Sequence, residues 1–409
     1  MPAPDPVASP LRRGLRLGAI LLVALNLRTA LASVGPLVPE IREGTGLSNG
    51  ALGLLTTLPL LAFGTLSVVA AVAGRRLGIE RAIALALLLV AGGTALRAAP
   101  PVALLFLGTG LFGVGVAVVN VLLPALAKRD FAHRSGPITG LYSGGMGVGA
   151  GLGAGLTVPL AAVLGWRGAL GVWALPALVA LLAWLPLARS RKGPPRATGV
   201  PGSFRALAGS GLAWQVAVFM GLQSLSFYVV LTWLPDILVA SGLPRARAGW
   251  LLGLAQATGV AGTVLVALRA GAVQDQRNLV WAVAILEGVG LGGLLLPGGP
   301  LPATWVSLVG FAQGGAFGLA LIFLVVRARD PDSASDLSGM AQSVGYLLAA
   351  VGPPLFGLLH DGSGGWSIPL ATLLGLVLVK TWAGLGAGQP HRVVPGEGHH
   401  GGAVPGGSG

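Results

Sequence analysis

The sequence has no cysteine and little charge, and both shortages narrow the classes of protein that it can encode. Without cysteine, neither a disulfide framework nor a thiolate metal site can form. Charged residues make up 10% of the 409 positions and hydrophobic residues 54%, whereas a soluble domain carries about 25% charged residues. This composition excludes a water-soluble protein.

Histidine is scarce as well, and its five positions do not form a metal-ligand pattern. We therefore predict no metal, no cofactor and no catalytic residue. The formal net charge of +13 would suggest nucleic-acid binding in a soluble protein. Here the basic residues lie mostly in short loops between apolar runs, which indicates membrane topology. We expect no nucleic-acid partner.

Long apolar runs fill most of the chain. A helix needs roughly 20 apolar residues to cross the hydrocarbon core of a bilayer, because its backbone must be satisfied within the segment. By this measure the sequence encodes an all-α membrane protein with twelve transmembrane helices. We number the predicted spans 1 to 12: 15–39, 48–73, 79–97, 101–126, 136–163, 168–188, 209–235, 246–269, 278–296, 302–326, 337–359 and 367–385.

The loop charges predict the orientation of these spans. With the N-terminus in the cytoplasm, nineteen lysine and arginine residues fall inside and five outside. An excess of basic residues in the cytoplasmic loops is the general rule for membrane proteins. We therefore predict a multi-pass protein of the cell (inner) membrane, surrounded by lipid, with both termini cytoplasmic.

The spans form two groups of six. We predict a cytoplasmic N-terminus (1–14), an N-terminal six-helix bundle (15–188), a linker (189–208), a C-terminal six-helix bundle (209–385) and a disordered cytoplasmic tail (386–409). Arg129-Asp130 recurs as Arg329-Asp330 and Gly165-Trp166 as Gly365-Trp366, at an offset of 200 residues. Such repeats predict pseudo-symmetric halves with a substrate site between them, opened alternately to each side.

Arg28 is the most informative single residue. It lies twelve residues beyond Arg16, which places it roughly 18 Å deeper along a helix. A charge near the bilayer centre costs at least about 2.5–3.5 kcal/mol, so it needs a partner or a function. One interpretation is a guanidinium bound to backbone carbonyls. The other, which we favour, is a guanidinium that faces an aqueous cavity and binds an anionic or strongly dipolar substrate.

Glu287 is the only acidic residue well within a predicted span, and Lys380 is a basic residue within another. Glu287 lies in span 9 and Lys380 at a similar depth in span 12. In a two-bundle architecture both spans belong to the outer layer of their half. We therefore predict a structural ion pair between them, in preference to a proton-coupling role for Glu287.

Polar and aromatic side chains are concentrated on spans 1, 4, 5, 7, 10 and 11. Intramembrane amides often only join helices, with roughly 0.6 kcal/mol gained per hydrogen bond. Their concentration favours a shared substrate cavity. The candidate substrate-binding residues are Asn26, Arg28, Asn120, Tyr142, Gln223, Phe227, Tyr228, Gln313, Phe317, Gln342 and Tyr346.

The sequence contains a set of short motifs in chain order: Asn26-Leu27-Arg28, Val34-Gly35-Pro36, Asn120-Val121-Leu122-Leu123-Pro124, Gln223-Ser224, Tyr228, Trp233-Leu234-Pro235, Leu337-Ser338-Gly339-Met340-Ala341-Gln342 and Gly345-Tyr346. Together these motifs resemble the CynX/NimT branch of the major facilitator superfamily, whose members are associated with cyanate and 2-nitroimidazole transport. This sequence has Thr29 where the family commonly has proline, and its loop motif Gly74–Gly78 lacks the usual aspartate. The resemblance implies the major facilitator fold and a small anionic or polarised planar solute.

These observations favour a monomeric secondary active transporter that moves a cyanate-, nitrate- or nitroimidazole-like solute by rocker-switch alternating access. An alternative is a proton-coupled efflux pump for drugs or organic solutes, which requires a protonatable carboxylate in the cavity. A non-transporting membrane receptor is another alternative. A membrane enzyme is the weakest interpretation, because the spans lack a nucleophile with its base and lack metal ligands.

Overall fold

Helices make up nearly all of the chain that the computed structural model describes, namely residues 10–131, 135–189, 207–296, 301–329, 331–391 and 393. Within these residues there are fourteen α-helices. They are α1 (Pro10–Ala32), α2 (Val38–Thr45), α3 (Asn49–Thr65), α4 (Ser67–Leu77), α5 (Ile79–Leu96), α6 (Val102–Asp130), α7 (Ser135–Gly171), α8 (Ala174–Arg189), α9 (Gly211–Ala240), α10 (Arg245–Gly271), α11 (Arg277–Leu294), α12 (Pro302–Val326), α13 (Pro331–Ser363) and α14 (Ser367–Ala387).

Ten stretches of these helices are long and apolar enough to cross a membrane, and α3 and α8 are shorter apolar helices. Together they occupy the positions of the twelve predicted spans. Span 1 is interrupted after α1 by a 3-10 turn, Gly35–Leu37, because Pro36 has no N–H to continue the helix. Between spans 5 and 6 the chain changes direction at Gly165, whose φ of 68° is accessible to glycine at little cost.

The helices pack into two bundles, one from α1 to α8 and one from α9 to α14. The closest packing within the first bundle joins α5 to α6 and α1 to α7, and within the second it joins α10 to α12 and α9 to α13. Two helix pairs make most of the contact between the bundles: α3 with α13, and α7 with α10. Arg28 in α1 contacts Phe227 in α9, so the space around Arg28 lies between the two bundles.

We distinguish two ends of the molecule. The α2 end carries α2, the start of α3, the end of α9, the start of α10 and the end of α13. The terminal end carries the start of α1 and the end of α14. Because the number of spans is even, the start of α1 and the end of α14 lie at the same end of the molecule.

The chain stays ordered beyond the predicted start of the disordered tail at residue 386. Arg327 donates from Nε to the carbonyl of Ala387 and from Nη2 to that of Gly388. Val393 is buried, and its N–H donates to the Arg327 carbonyl at 2.8 Å. A basic residue that satisfies the last carbonyls of a helix stabilises its C-terminus, so this boundary lies later than predicted. Residues 190–206 of the predicted linker and 394–409 of the tail lie outside the described residues.

Candidate substrate site

Arg28 lies between the two bundles and contacts aromatic side chains of the opposite half. Its Cζ is 5.1 Å from the centroid of the Phe227 ring in α9, a cation–π distance. Phe227 in turn packs edge-to-face on Tyr228, with 5.0 Å between ring centroids. The guanidinium also acts electrostatically on the hydroxyls of Tyr228 and of Tyr346 in α13. Arg28 is thus part of an aromatic site that spans both halves.

The Arg28 guanidinium has no counterion among the residues that the structure describes. In the described part of the chain, no carboxylate lies within ion-pair distance of its guanidinium. The side chain is half-buried rather than fully enclosed. A planar fork of N–H donors in such a place suits a carboxylate, a nitro group or another planar anion.

The wall of the site continues into α3. Phe63 packs edge-to-face on Tyr346 at 5.5 Å between centroids. Sequence reasoning missed Phe63, because a phenylalanine in an apolar run carries no signal of its own. Phe227 and Tyr228 thus form one aromatic pair beside Arg28, and Phe63 and Tyr346 form a second pair between α3 and α13. Such rings stack on flat solutes.

Four of the other predicted side chains bind elsewhere. Asn26 donates to the carbonyls of Leu22 and Pro176, which joins α1 to α8. The Gln223 amide donates to Ser224 at 2.7 Å. Gln342 is exposed and donates to Ser338 one turn earlier in α13. The fourth, Gln313, belongs to the buried network described below.

The remaining predicted residues are distributed over three helices. Asn120 in α6 and Phe317 in α12 are half-buried, and Tyr142 in α7 is 8% exposed. None of the described ring or hydrogen-bond contacts links Asn120 or Phe317 to Arg28. The structure therefore brings Arg28, Phe227, Tyr228 and Tyr346 together, and Asn120, Tyr142 and Phe317 stay candidates.

Glu287 and Lys380 form an ion pair inside the second bundle. Lys380 Nζ contacts Glu287 Oε2, and both side chains are almost completely buried. The other carboxylate oxygen accepts from Ser226 Oγ at 2.6 Å, and Gln313 Nε2 donates to the same hydroxyl at 3.1 Å. The chain of contacts joins α9, α11, α12 and α14. The Gln313 amide is therefore hydrogen-bonded within this network.

A polar network at the α2 end joins the two bundles, and sequence reasoning missed it. Arg42 donates to Asp236 through both terminal nitrogens, at 3.3 and 3.2 Å, and to Asn49 at 2.7 Å. The Asn49 amide nitrogen then donates to Asp361 at 2.6 Å. The residues come from α2, α3, α9 and α13, so the two halves are fastened together here.

Further contacts strengthen this closure. Arg245, at the start of α10, pairs with Glu40 and Glu43 of α2. Deeper in, Thr57 donates to the Ala350 carbonyl at 2.6 Å, again between halves. At the terminal end, the ion pairs of the described residues stay within one bundle: Arg16–Asp130, Arg129–Glu80, Arg129–Asp130 and Arg277–Asp275.

Comparisons with known proteins agree with this architecture. Residues 20–353 match the Major Facilitator Superfamily model. The chain is 44% identical to the 2-nitroimidazole transporter of Escherichia coli K12 over 92% of this chain and 96% of that protein. It is 32% identical to the cyanate transport protein CynX of the same organism, over 88% of this chain and 94% of that one.

The fold is also found in a solved transporter. The inward-open xylose transporter XylE of E. coli superimposes with a TM-score of 0.72 at 15% identity, covering 93% of this chain and 97% of XylE. Together with the family match, this confirms the predicted helical fold and excludes the enzyme interpretation. The chain belongs to the major facilitator superfamily and, within it, to the family that contains the cyanate and 2-nitroimidazole transporters.

Proposed function

We propose that this transporter carries a small anionic or polarised planar solute and that Arg28 binds its negative end. The observation that carries the proposal is the unpaired guanidinium of Arg28 beside Phe227, Tyr228 and Tyr346. A half-buried charge without a counterion among the described residues gains from a ligand of opposite charge. The aromatic rings would then stack on the flat part of the solute.

The relatives support this solute class. Two of the full-length relatives are named for 2-nitroimidazole and for cyanate. A match of 45% identity over 114 residues, 28% of this chain, is to a putative anionic 4-hydroxy-benzoate permease of Thauera aromatica. Nitroimidazole and hydroxybenzoate are planar rings with a polar or anionic substituent, and cyanate is a small anion. One cationic fork within an aromatic wall suits all three.

We further propose that the protein works by rocker-switch alternating access in the inner membrane, as a monomer, with both termini cytoplasmic. The excess of basic loop residues at the terminal end supports this orientation. The α2 end then faces outward, and its network between halves would close the outer entrance while the site communicates with the cytoplasm. One chain contains both halves, so it needs no second copy to form the site.

Proton-coupled multidrug efflux is less well supported. It requires a carboxylate that is free to titrate in the substrate cavity. Glu287 is instead paired with Lys380 and hydrogen-bonded to Ser226 inside the second bundle.

The direct test is transport by purified protein in proteoliposomes, with radiolabelled cyanate, 2-nitroimidazole and 4-hydroxybenzoate as separate substrates. Arg28→Ala should abolish transport of the true substrate, and Arg28→Lys should retain part of it because the charge remains. Arg277→Ala, which removes an exposed arginine paired with Asp275 at the terminal end, is the matched control. Unimpaired transport by Arg28→Ala would refute the proposal.

A further inference from the structure

Arg97, in the first bundle, carries a guanidinium that is more deeply buried than that of Arg28. It follows the last residue of α5 and is only 1% exposed. Nη1 donates to the Ala30 carbonyl of α1 at 2.8 Å, and Cζ lies 5.9 Å from the Phe112 ring centroid in α6. Arg97 therefore sits where three helices of the first bundle meet.

Most of the hydrogen-bonding capacity of this group is unused by the protein. Nε and Nη2 of Arg97 are buried and have no partner among the described residues, and the same is true of the Thr94 hydroxyl. Thr94 and Arg97 are three residues apart, so they lie on one face of the chain as it leaves α5. Three buried polar atoms without a partner among the described residues thus belong to two neighbouring side chains.

An unpaired buried charge is expensive. Within the described residues, no carboxylate forms an ion pair with Arg97. Removing a guanidinium from water without a counterion costs several kcal/mol, and each buried donor without a partner adds to that cost. Water could satisfy the hydrogen bonds, but only an anion would also neutralise the charge.

The packing restricts the size of such an anion. The backbone nitrogen and Cγ of Arg97 are so close to Gly108 that a methyl group added there would stand 3.0 Å from both. Gly108 in turn lies against Gly93 across the α5–α6 contact. Because α5 and α6 approach each other so closely here, the size of an anion beside Arg97 is limited. A monatomic anion suits this position better than a planar anion of the kind proposed at Arg28.

We propose that Arg97 and Thr94 form a binding site for a monatomic anion, chloride in the cell, distinct from the substrate site at Arg28. Arg97 Nε–H and Nη2–H and the Thr94 O–H are the donors. Arg97 also donates to the Ala30 carbonyl, near the end of α1 and before the 3-10 turn. A bound anion would hold the Arg97 side chain in this position, and it would thereby stabilise the contact between α5 and α1 in the first bundle.

The test is the thermal stability of purified protein in sodium chloride against sodium gluconate at equal ionic strength. The wild type should show a saturable rise in Tm of about 3 °C or more with chloride. Arg97→Gln should lose the dependence, and Thr94→Val should raise the half-saturating chloride concentration several-fold. Arg167→Gln, which removes another arginine of the first bundle that donates to a backbone carbonyl, should keep it.

Chloride-independent Tm in the wild type, or an unchanged dependence in Arg97→Gln, would overturn the site. If Arg97→Gln does not fold, crystals of the wild type grown in sodium bromide decide the matter. An anomalous peak beside Arg97 Nε and Nη2 supports the site, and its absence there, with bromide bound elsewhere, refutes it.

Discussion

At the residue scale, the recognition chemistry depends on how the Arg28 guanidinium is positioned. Phe227 is the aromatic group whose ring lies under the guanidinium, at 5.1 Å. Cation–π contacts contribute about 0.5–2 kcal/mol, depending on how far they are shielded from water. The ring therefore orients the charge without neutralising it, which leaves the charge available for a solute.

Replacement of Phe227 should weaken substrate binding. Phe227→Leu removes the cation–π contact but keeps an apolar side chain, so we expect KM for transport to rise about 2- to 30-fold. Phe227→Trp retains an aromatic face and should stay near the wild-type value. An unchanged KM in Phe227→Leu would show that the ring does not orient Arg28.

For the buried Glu287–Lys380 pair, we predict an effect on stability, whereas Phe227 is expected to affect substrate binding. Glu287→Gln leaves the Lys380 ammonium buried without a counterion, which should cost about 3–5 kcal/mol of stability and lower Tm markedly. Glu287→Gln combined with Lys380→Met removes both charges and should recover most of the lost stability. Thermal unfolding of purified protein measures both effects.

Transport by the double variant separates a structural role from a coupling role. A structural pair predicts that the folded double variant still accumulates substrate against its gradient. Loss of uphill transport with exchange retained would instead assign Glu287 to ion coupling.

At the element scale, α3 and α13 approach each other closely across the boundary between the halves. A methyl group added at Gly53 would stand 2.6 Å from the carbonyl carbon and oxygen of Pro353. Backbone atoms cannot move aside as a side chain can, so a larger residue here must separate the two helices. The contact is therefore part of what closes the α2 end.

Gly53→Ala should shift the protein toward a state that is open at the α2 end. Because the chain has no cysteine, spin labels at Val163→Cys and Ala240→Cys report only the distance between the halves at that end. By double electron–electron resonance spectroscopy, we expect a longer mean distance between the two spin labels in Gly53→Ala than in the wild-type background. Gly92→Ala, in α5 where an added methyl group meets nothing within 4 Å, is the control. Identical distance distributions in both variants would contradict this role of Gly53.

The sequence predicted the membrane-spanning helices better than the turns that interrupt them and the point where the last helix ends. Each span is an apolar run of membrane length, and that property alone requires a helix in lipid. The 3-10 turn at Gly35–Leu37 and the order of the chain as far as Val393 depend on tertiary partners. For Val393 the partner is Arg327, 66 positions earlier in the chain, and no local pattern reveals it.

At the scale of the whole molecule, the same reasoning explains which site residues could be predicted. Arg28 was identifiable because a charge within a span needs a reason. Asp236 and Asp361 lie near helix ends, where a charged residue is common and does not indicate a function. Their partners Arg42 and Asn49 are 194 and 312 positions away in the chain. Gln313 was predicted at the substrate site, but its link to Glu287 through Ser226 exists only in the folded bundle.

The missing counterion of Arg28 has an electrical consequence for the transport cycle. An empty carrier brings one uncompensated positive charge to its centre, whereas a carrier loaded with a monovalent anion is neutral there. A membrane voltage acts on a charge with up to about 2.3 kcal/mol per 100 mV, so it should bias the return of the empty protein and leave the loaded step nearly unaffected. In vesicles clamped with potassium and valinomycin, net uptake should then depend on voltage while exchange of labelled for unlabelled substrate does not, and equal sensitivity of both would argue against an uncompensated Arg28.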